Sequence, residues 1–335
     1  MAMGPAGGDV VDPDAAIVVE ATSREPYQAQ HSPADAASGR GRASRVLLHS
    51  WAFWVGAVVA GALVAIAVLA PVIAPHGPDE QFRENLPASG QALGPTSDFP
   101  LGTDRQGRDY LSRIMYGTRT TLVIALVANG VAAVVGLAVG LVAGFAGSPG
   151  LAVPGGRRVG VPVGSALMRL TDLALAFPII LLALAMAAVF GRSVALVTFI
   201  IAAVVWATMA RIVYGRTVSI KEREFIEAAQ AVGSSTGSIM RRHFVPHLVP
   251  LVVVYTGLGI AATVLFEATL SYVGAGVPRG TASLGGLLYE GAGFWQTDPR
   301  LVLLPGIVVL TFVLAFNLVS DALRDALDPY HVGRQ

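Results

Sequence analysis

An all-α integral membrane protein with six spanning helices is the fold class this sequence predicts, and three observations carry the prediction. Charged residues make up 13% and hydrophobic residues 54% of the 335, whereas soluble chains carry about 25% charged residues. The apolar residues gather into six charge-free stretches, each near the ~20 residues a helix needs to cross hydrocarbon. A long, basic, amphipathic segment interrupts them after the fourth.

Residues 1–44 are rich in Ala, Gly, Pro, Asp and Ser without an apolar period, and they read as a disordered cytoplasmic tail. The first apolar stretch, 52–74, comes too late and runs too long for a signal peptide, so it is expected to stay as the first span. The remaining spans are expected at 121–147, 173–190, 193–210, 248–266 and 301–320. Only Gly191 and Arg192 separate the third from the fourth, which predicts a tight helical hairpin. With both termini cytoplasmic, fifteen Lys and Arg fall inside and eight outside, and the excess of inner basic residues favours that orientation. Region 75–120 runs against it, with Arg83, Arg105, Arg108, Arg113 and Arg119.

The inner segment 211–247 holds six of the basic residues. Phe225, Ile226, Ala229 and Val232 fall near helical spacing and give one apolar face. Gly233 breaks that helix, Ser234 and Ser235 can cap a second, and Pro246 ends that one or kinks the next span. The expected product is helix, sharp turn, helix at the membrane surface, a shape suited to docking in a partner's groove.

Four motifs in order bring a family into view. Glu227-Ala228-Ala229, three residues, Gly233, nine residues, then His243-Phe244-Val245-Pro246 resembles the EAA loop of bacterial ABC importer permeases, with His243 and Val245 where Ile and Leu are usual. The run from Pro100 through Asp104, Gly107, Arg108, Asp109, Ser112, Arg113 and Arg119 is similar to a signature of the C-type permeases of dipeptide, oligopeptide and nickel importers. Glu267 through Val277 and Asn317 through Pro329 resemble that family's later motifs, with Ser320 where Gly is common. The resemblance covers roughly 45–331 and implies a type I importer permease: a first helix and extracytoplasmic loop at 45–120, then a transmembrane core at 121–331. It implies that Glu227, Ala228, Ala229, Gly233, His243 and Pro246 couple to a separate ATPase. The expected partners are a homologous permease forming a heterodimer, two ATPase subunits holding ATP and Mg, and an extracytoplasmic peptide-binding protein. The expected place is the bacterial inner membrane, in contact with lipid. A permease for nickel or another small solute, or a self-sufficient channel, is the alternative.

Other chemistries find little support. The absence of cysteine excludes thiolate sites, and a net charge of +1 gives no case for nucleic acid. No GxxxxGK[ST] run is present, so an ATPase would be another chain, and with no catalytic constellation in view no cofactor or catalytic residue is expected in this one. Gly257 and Gly259 imitate a dinucleotide fingerprint but lie inside a charge-free span. His243 and His247 lack the intervening Glu of a zinc motif, and no metal is expected. Gly136, Gly140 and Gly144 repeat every four residues and predict a helix-packing face, within or between subunits. Asp172, Asn129, Glu267 and Asn317 are the polar groups in or near spans. Asp172 and Glu267 are expected at water-accessible span ends, in capping or gate roles, and Asn317 is a further candidate of the same kind. So few polar groups argue against ion-coupled transport.

Overall fold

The computed structural model describes residues 47–87, 90–146 and 163–327. The tail placed at 1–44, the basic pair Arg157 and Arg158, and Asp328 and Pro329 lie outside the described residues. Among the described residues the fold is helical, with one isolated bridge between Thr103 and Asp109.

Helix α1 spans Trp51–Ile73 and starts where the Ser50 hydroxyl accepts from the Phe53 amide. Gly56 lets it lie directly on the last helix, against Ala315 and Leu318. An extended segment with a short 3-10 turn at Arg83–Asn85 leads to α2, Tyr110–Phe145. Helices α3, Val163–Ala176, and α4, Ile179–Phe190, follow. Next come α5, Val194–Lys221, then α6, Glu224–Ala231, and α7, Thr236–Ile239. A π turn at Met240–Phe244 opens α8, Val245–Val273. Helix α9 is Leu284–Ala292 and α10 is Arg300–Leu327.

Among the described residues five helices are long and apolar enough to cross a membrane by themselves, and a sixth crossing is available if α3 and α4 act as one broken span. The span expected at 173–190 is thus a bent one that begins earlier, at Val163. The two helices meet at 76°. Pro178 stands between them; it lacks an amide hydrogen and disfavours helical geometry in Phe177 before it. Gly191, at φ +75°, then turns the chain into α5 as the hairpin reading required. Four of the other spans run past their apolar stretches, α2 and α5 by the most at one end. Helix α2 begins eleven residues before 121, at an Asp109 cap, so the boundary drawn at 120 falls inside it. Helix α5 carries the fourth span on to Lys221, through the first part of the 211–247 segment.

Helix α2 is the central mast. Its residues enter every buried cluster: Tyr110 and Ile114 with Leu287 and Leu301, Leu122 and Ala125 with Val264 and Phe312, Ile124 and Ala128 with Val197 and Ile200, and Leu141 with Val213 and Phe244. The glycine stripe lies along its contact with α5: Gly136 faces Met209, Gly140 faces Ala210 and Val213, and Gly144 faces Thr217. The stripe is therefore a packing face within this chain. Small residues let the two backbones approach, and a side chain at those positions would hold them apart.

Candidate functional site

The 211–247 segment folds into a short exposed helix on a buried anchor. Glu224 and Glu227 sit in the first turn of α6, where the helix dipole favours acid. Ile226 is fully buried beneath it, in a cluster with Leu141, Met209, Ile220, Phe244 and Leu248 from α2, α5 and α8. Burying an isoleucine stabilises by about 1.5–3 kcal/mol, which pins the helix to three spans at once. Glu227 and Ala228 are exposed and Ala229 is half-buried. Val232, expected on the inner face, is 86% exposed and points away from the core. The reason is the turn itself: the helical spacing ends at Ala231, and Val232 already belongs to the cap.

That cap is a Schellman motif. Gly233 has φ +82°, its amide donates to the Gln230 carbonyl at 2.9 Å, and the Ser234 amide donates to the Ala229 carbonyl at 3.1 Å. Ser235 then caps α7 through the Ser238 amide. Phe225 turns back onto α8, stacked on the His247 ring with 5.6 Å between centroids and 6.1 Å from that of His243. His243 is thus a packing neighbour of Phe225, with its carbonyl 2.7 Å from His247 Nδ1. No group of three metal-ligating side chains occurs among the described residues. Pro246 is exposed beside Arg241 and Arg242 at the edge of a broad surface hollow. The whole element is an exposed knob rooted in the spans.

A second cluster surrounds Glu267. Its carboxylate is fully buried and accepts from the hydroxyls of Thr121, Ser271 and Ser283 at 3.1, 2.9 and 3.0 Å, and from the Gly285 amide at 3.4 Å. The expectation that water reaches Glu267 is corrected: α9 folds back over the end of α8 and covers it. The carboxylate faces the N-terminus of α9, where unpaired amides and the dipole favour negative charge. Glu267 therefore ties α2, α8 and α9 together. Asn129 does the same between α2 and α8, donating to Thr263 Oγ1 at 2.8 Å. Asp172 is exposed and pairs with Arg211 of α5 at 2.5 Å, a contact worth at most about 1 kcal/mol. Asn317 is half-buried on α10, away from these clusters.

The third cluster lies at the end of the molecule opposite α6. Asp109 caps α2 by accepting from the Leu111 and Ser112 amides. Asp104 Oδ2 accepts from Arg108 Nε at 2.7 Å and Arg113 Nη1 at 2.8 Å. Glu290 Oε2, from α9, accepts from Arg108 Nη2 at 2.9 Å and Arg113 Nη1 at 2.6 Å. Arg300 donates to the carbonyls of Leu101, Leu93 and Thr103, and Tyr110 to that of Leu301. Glu290 and Arg300 do not stand out in the sequence. Their partners stand far away along the chain, 177 residues for Glu290 and Arg113, and no spacing rule connects them. The one available signal is that Glu290 is the only charge on α9.

Residues 136–330 match the family described as binding-protein-dependent transport system inner membrane component, and residues 40–91 match the N-terminal TM domain of oligopeptide transport permease C. The chain is 34% identical over 275 residues to the dipeptide transport system permease protein DppC of Alkalihalophilus pseudofirmus, covering 82% of this chain and 84% of that one. It is 35% identical over 287 residues to the oligopeptide transport system permease protein OppC of Escherichia coli K12, covering 86% and 90%. The glutathione transport system permease protein GsiD of Pectobacterium atrosepticum is 34% identical over 267 residues, covering 80% and 83%. Among solved structures, a chain of the inward-facing MetNI methionine ABC transporter superposes with a TM-score of 0.52 at 19% identity, covering 65% of this chain and 97% of that one. That likeness shows the fold.

Proposed function

The chain belongs to the family of binding-protein-dependent transport system inner membrane components, and from that premise we propose that it is the C-type permease subunit of an ATP-driven importer of di- or oligopeptides. The peptide assignment rests on relatives named for dipeptide, oligopeptide and glutathione transport. The observation that carries the mechanism is the α6 knob. Its outer surface, with Glu227, Ala228 and the Gly233 cap, is free to enter a partner's cleft. Its inner surface, through Ile226, is built into a cluster shared by α2, α5 and α8. A push on such a knob moves spans, because packed interiors transmit displacement instead of absorbing it.

In this reading the partner at the knob is a cytoplasmic ATPase, and this chain carries no catalytic residue or nucleotide of its own. ATP and Mg sit on two ATPase subunits. A homologous permease completes a heterodimer, the substrate passes between the two, and an extracytoplasmic protein delivers it. The orientation places 211–247 and both termini in the cytoplasm, and 76–116 outside. The basic residues exposed near α6 and α7, Arg223, Arg241 and Arg242, fit an inner surface.

The test is uptake of labelled di- and tripeptides by membranes holding the complete complex, with and without ATP and loaded binding protein. Uptake that requires both is expected. Uptake by this chain with neither would make it a channel and end the importer reading.

A further inference from the structure

Resting on the importer reading and its orientation, we infer that Glu290 is a positioning residue that locks the outer mouth by holding α9 against the base of α2. Helix α9 has nine residues, too few to cross a membrane, and lies in the connection between the last two spans. Its N-terminus is embedded through Ser283 and Gly285 in the Glu267 cluster. Leu287 packs on Tyr110 and Ile114 of α2, and the far half carries one charge, Glu290, paired with Arg113 of α2 and with Arg108 just before it.

The physics of that contact favours the docked position. Arg108 and Arg113 have side chains only 3% and 1% exposed, and each bridges Asp104 and Glu290. Two guanidinium groups and two carboxylates leave the buried group neutral. With Glu290 gone, two buried cations share one anion, and uncompensated buried charge is strongly unfavourable. The network therefore favours α9 docked. Glu290 is also the member facing water, at 28% exposed, and it lines a cavity of about 180 Å³ together with Arg105 and Phe294. The lock can thus be reached from outside while its sockets stay buried. Arg113 sits on α2, the helix whose other end enters the Ile226 cluster under α6. Docked α9 holds the resting state, and ATP turnover stays low until the loaded binding protein arrives.

The experiment uses the assembled complex in proteoliposomes and measures ATP turnover with and without loaded binding protein. The variants are Glu290→Gln and the charge-balanced pair Arg108→Gln with Glu290→Gln, which leaves Asp104 and Arg113 as one neutral pair. Couplings between sites typically amount to about 5-fold or more. Glu290→Gln is expected to raise unstimulated turnover about five-fold or more and to flatten the response to binding protein. The double variant is expected to match wild type in complex yield yet keep the high unstimulated turnover, because the contact to α9 is still missing. Low, wild-type turnover in either assembled variant overturns the lock. A wild-type complex that does not respond to loaded binding protein would instead remove the importer reading on which the lock rests.

Discussion

One methyl group added at Gly140 should drive α2 and α5 apart. A Cβ built there would stand 2.5 Å from the Ala210 carbonyl oxygen and 2.7 Å from Val213 Cβ, where real Cβ atoms essentially never come within 3.0 Å. Neither obstacle yields easily, since one is helix backbone and the other a β-branched carbon, stiff about χ1. The helices must separate by several tenths of an ångström, and that also loosens Gly136 against Met209 and Gly144 against Thr217, each 2.6 Å by the same construction. Overpacking of this kind costs about 1–3 kcal/mol, and the shared seam places Gly140→Ala toward the upper end. Gly130→Ala is the control. It lies on the same helix, exposed, with nothing within 4 Å of the added carbon, so it should stabilise by up to about 1 kcal/mol through helix propensity. Gly140→Ala gains the same propensity, so the gap between the two variants is the overpacking alone, about 1–3 kcal/mol. Thermal unfolding of the purified chain in detergent, followed by tryptophan fluorescence and by survival of the monodisperse peak, reads it. A Gly140→Ala midpoint at or above that of Gly130→Ala would refute the packing argument.

Three further outcomes are expected. A Gly233→Val chain should insert and pair normally but lose ATPase pull-down and stimulated turnover; φ +82° with open space around the residue means the penalty is backbone alone, about 1 kcal/mol or more, so Gly233→Asn should recover much of the loss. Ser97 and Ser234 are both exposed, and a Cys at 97 should react with an impermeant thiol reagent in intact cells while a Cys at 234 reacts only after permeabilisation; the reverse pattern overturns the orientation. Glu267→Ala should lower the unfolding midpoint by leaving four buried donors unpaired, at about 1–3 kcal/mol for a group so stranded, and Glu267→Gln, which keeps an acceptor in place, should recover part of it.

The features legible in the sequence are those that depend on neighbours in the chain. Charge-free length announces a span, and Gly233 followed by serines announces a cap and a new helix, because both are decided within a few residues. The left-handed Gly233 and the hairpin at Gly191 are readable for that reason. The errors fall where a distant element decides. Glu267 looks like a wetted span end until α9 folds over it. The glycine stripe signals close approach without naming the helix that approaches, which proves to be α5. Polar residues 110–120 look like loop because hydropathy weighs each residue against lipid, whereas here Arg113 pairs with Asp104 and Glu290, and Ser112 with Asp109, inside protein. The bend at Pro178 is a local signal, masked by the uniform hydrophobicity around it.

The two ends of the molecule are joined by a single continuous element, and that constrains any mechanism. Helix α2 has 36 residues, a rod of roughly 54 Å at 1.5 Å per residue. At its start Arg113 holds α9 through Glu290; near its end Leu141 lies in the cluster that anchors Ile226 of α6. Between them the glycine stripe packs it onto α5, which leads directly into α6 through Lys221. Two helices packed backbone to backbone over three successive glycines resist sliding and bending far better than either does alone. A displacement of α6 is therefore poorly absorbed at the α6 end of this pair. It has to appear either as rotation of the pair as one body or as opening where the pair ends, and the contact waiting there is the ionic one between Arg108, Arg113 and Glu290.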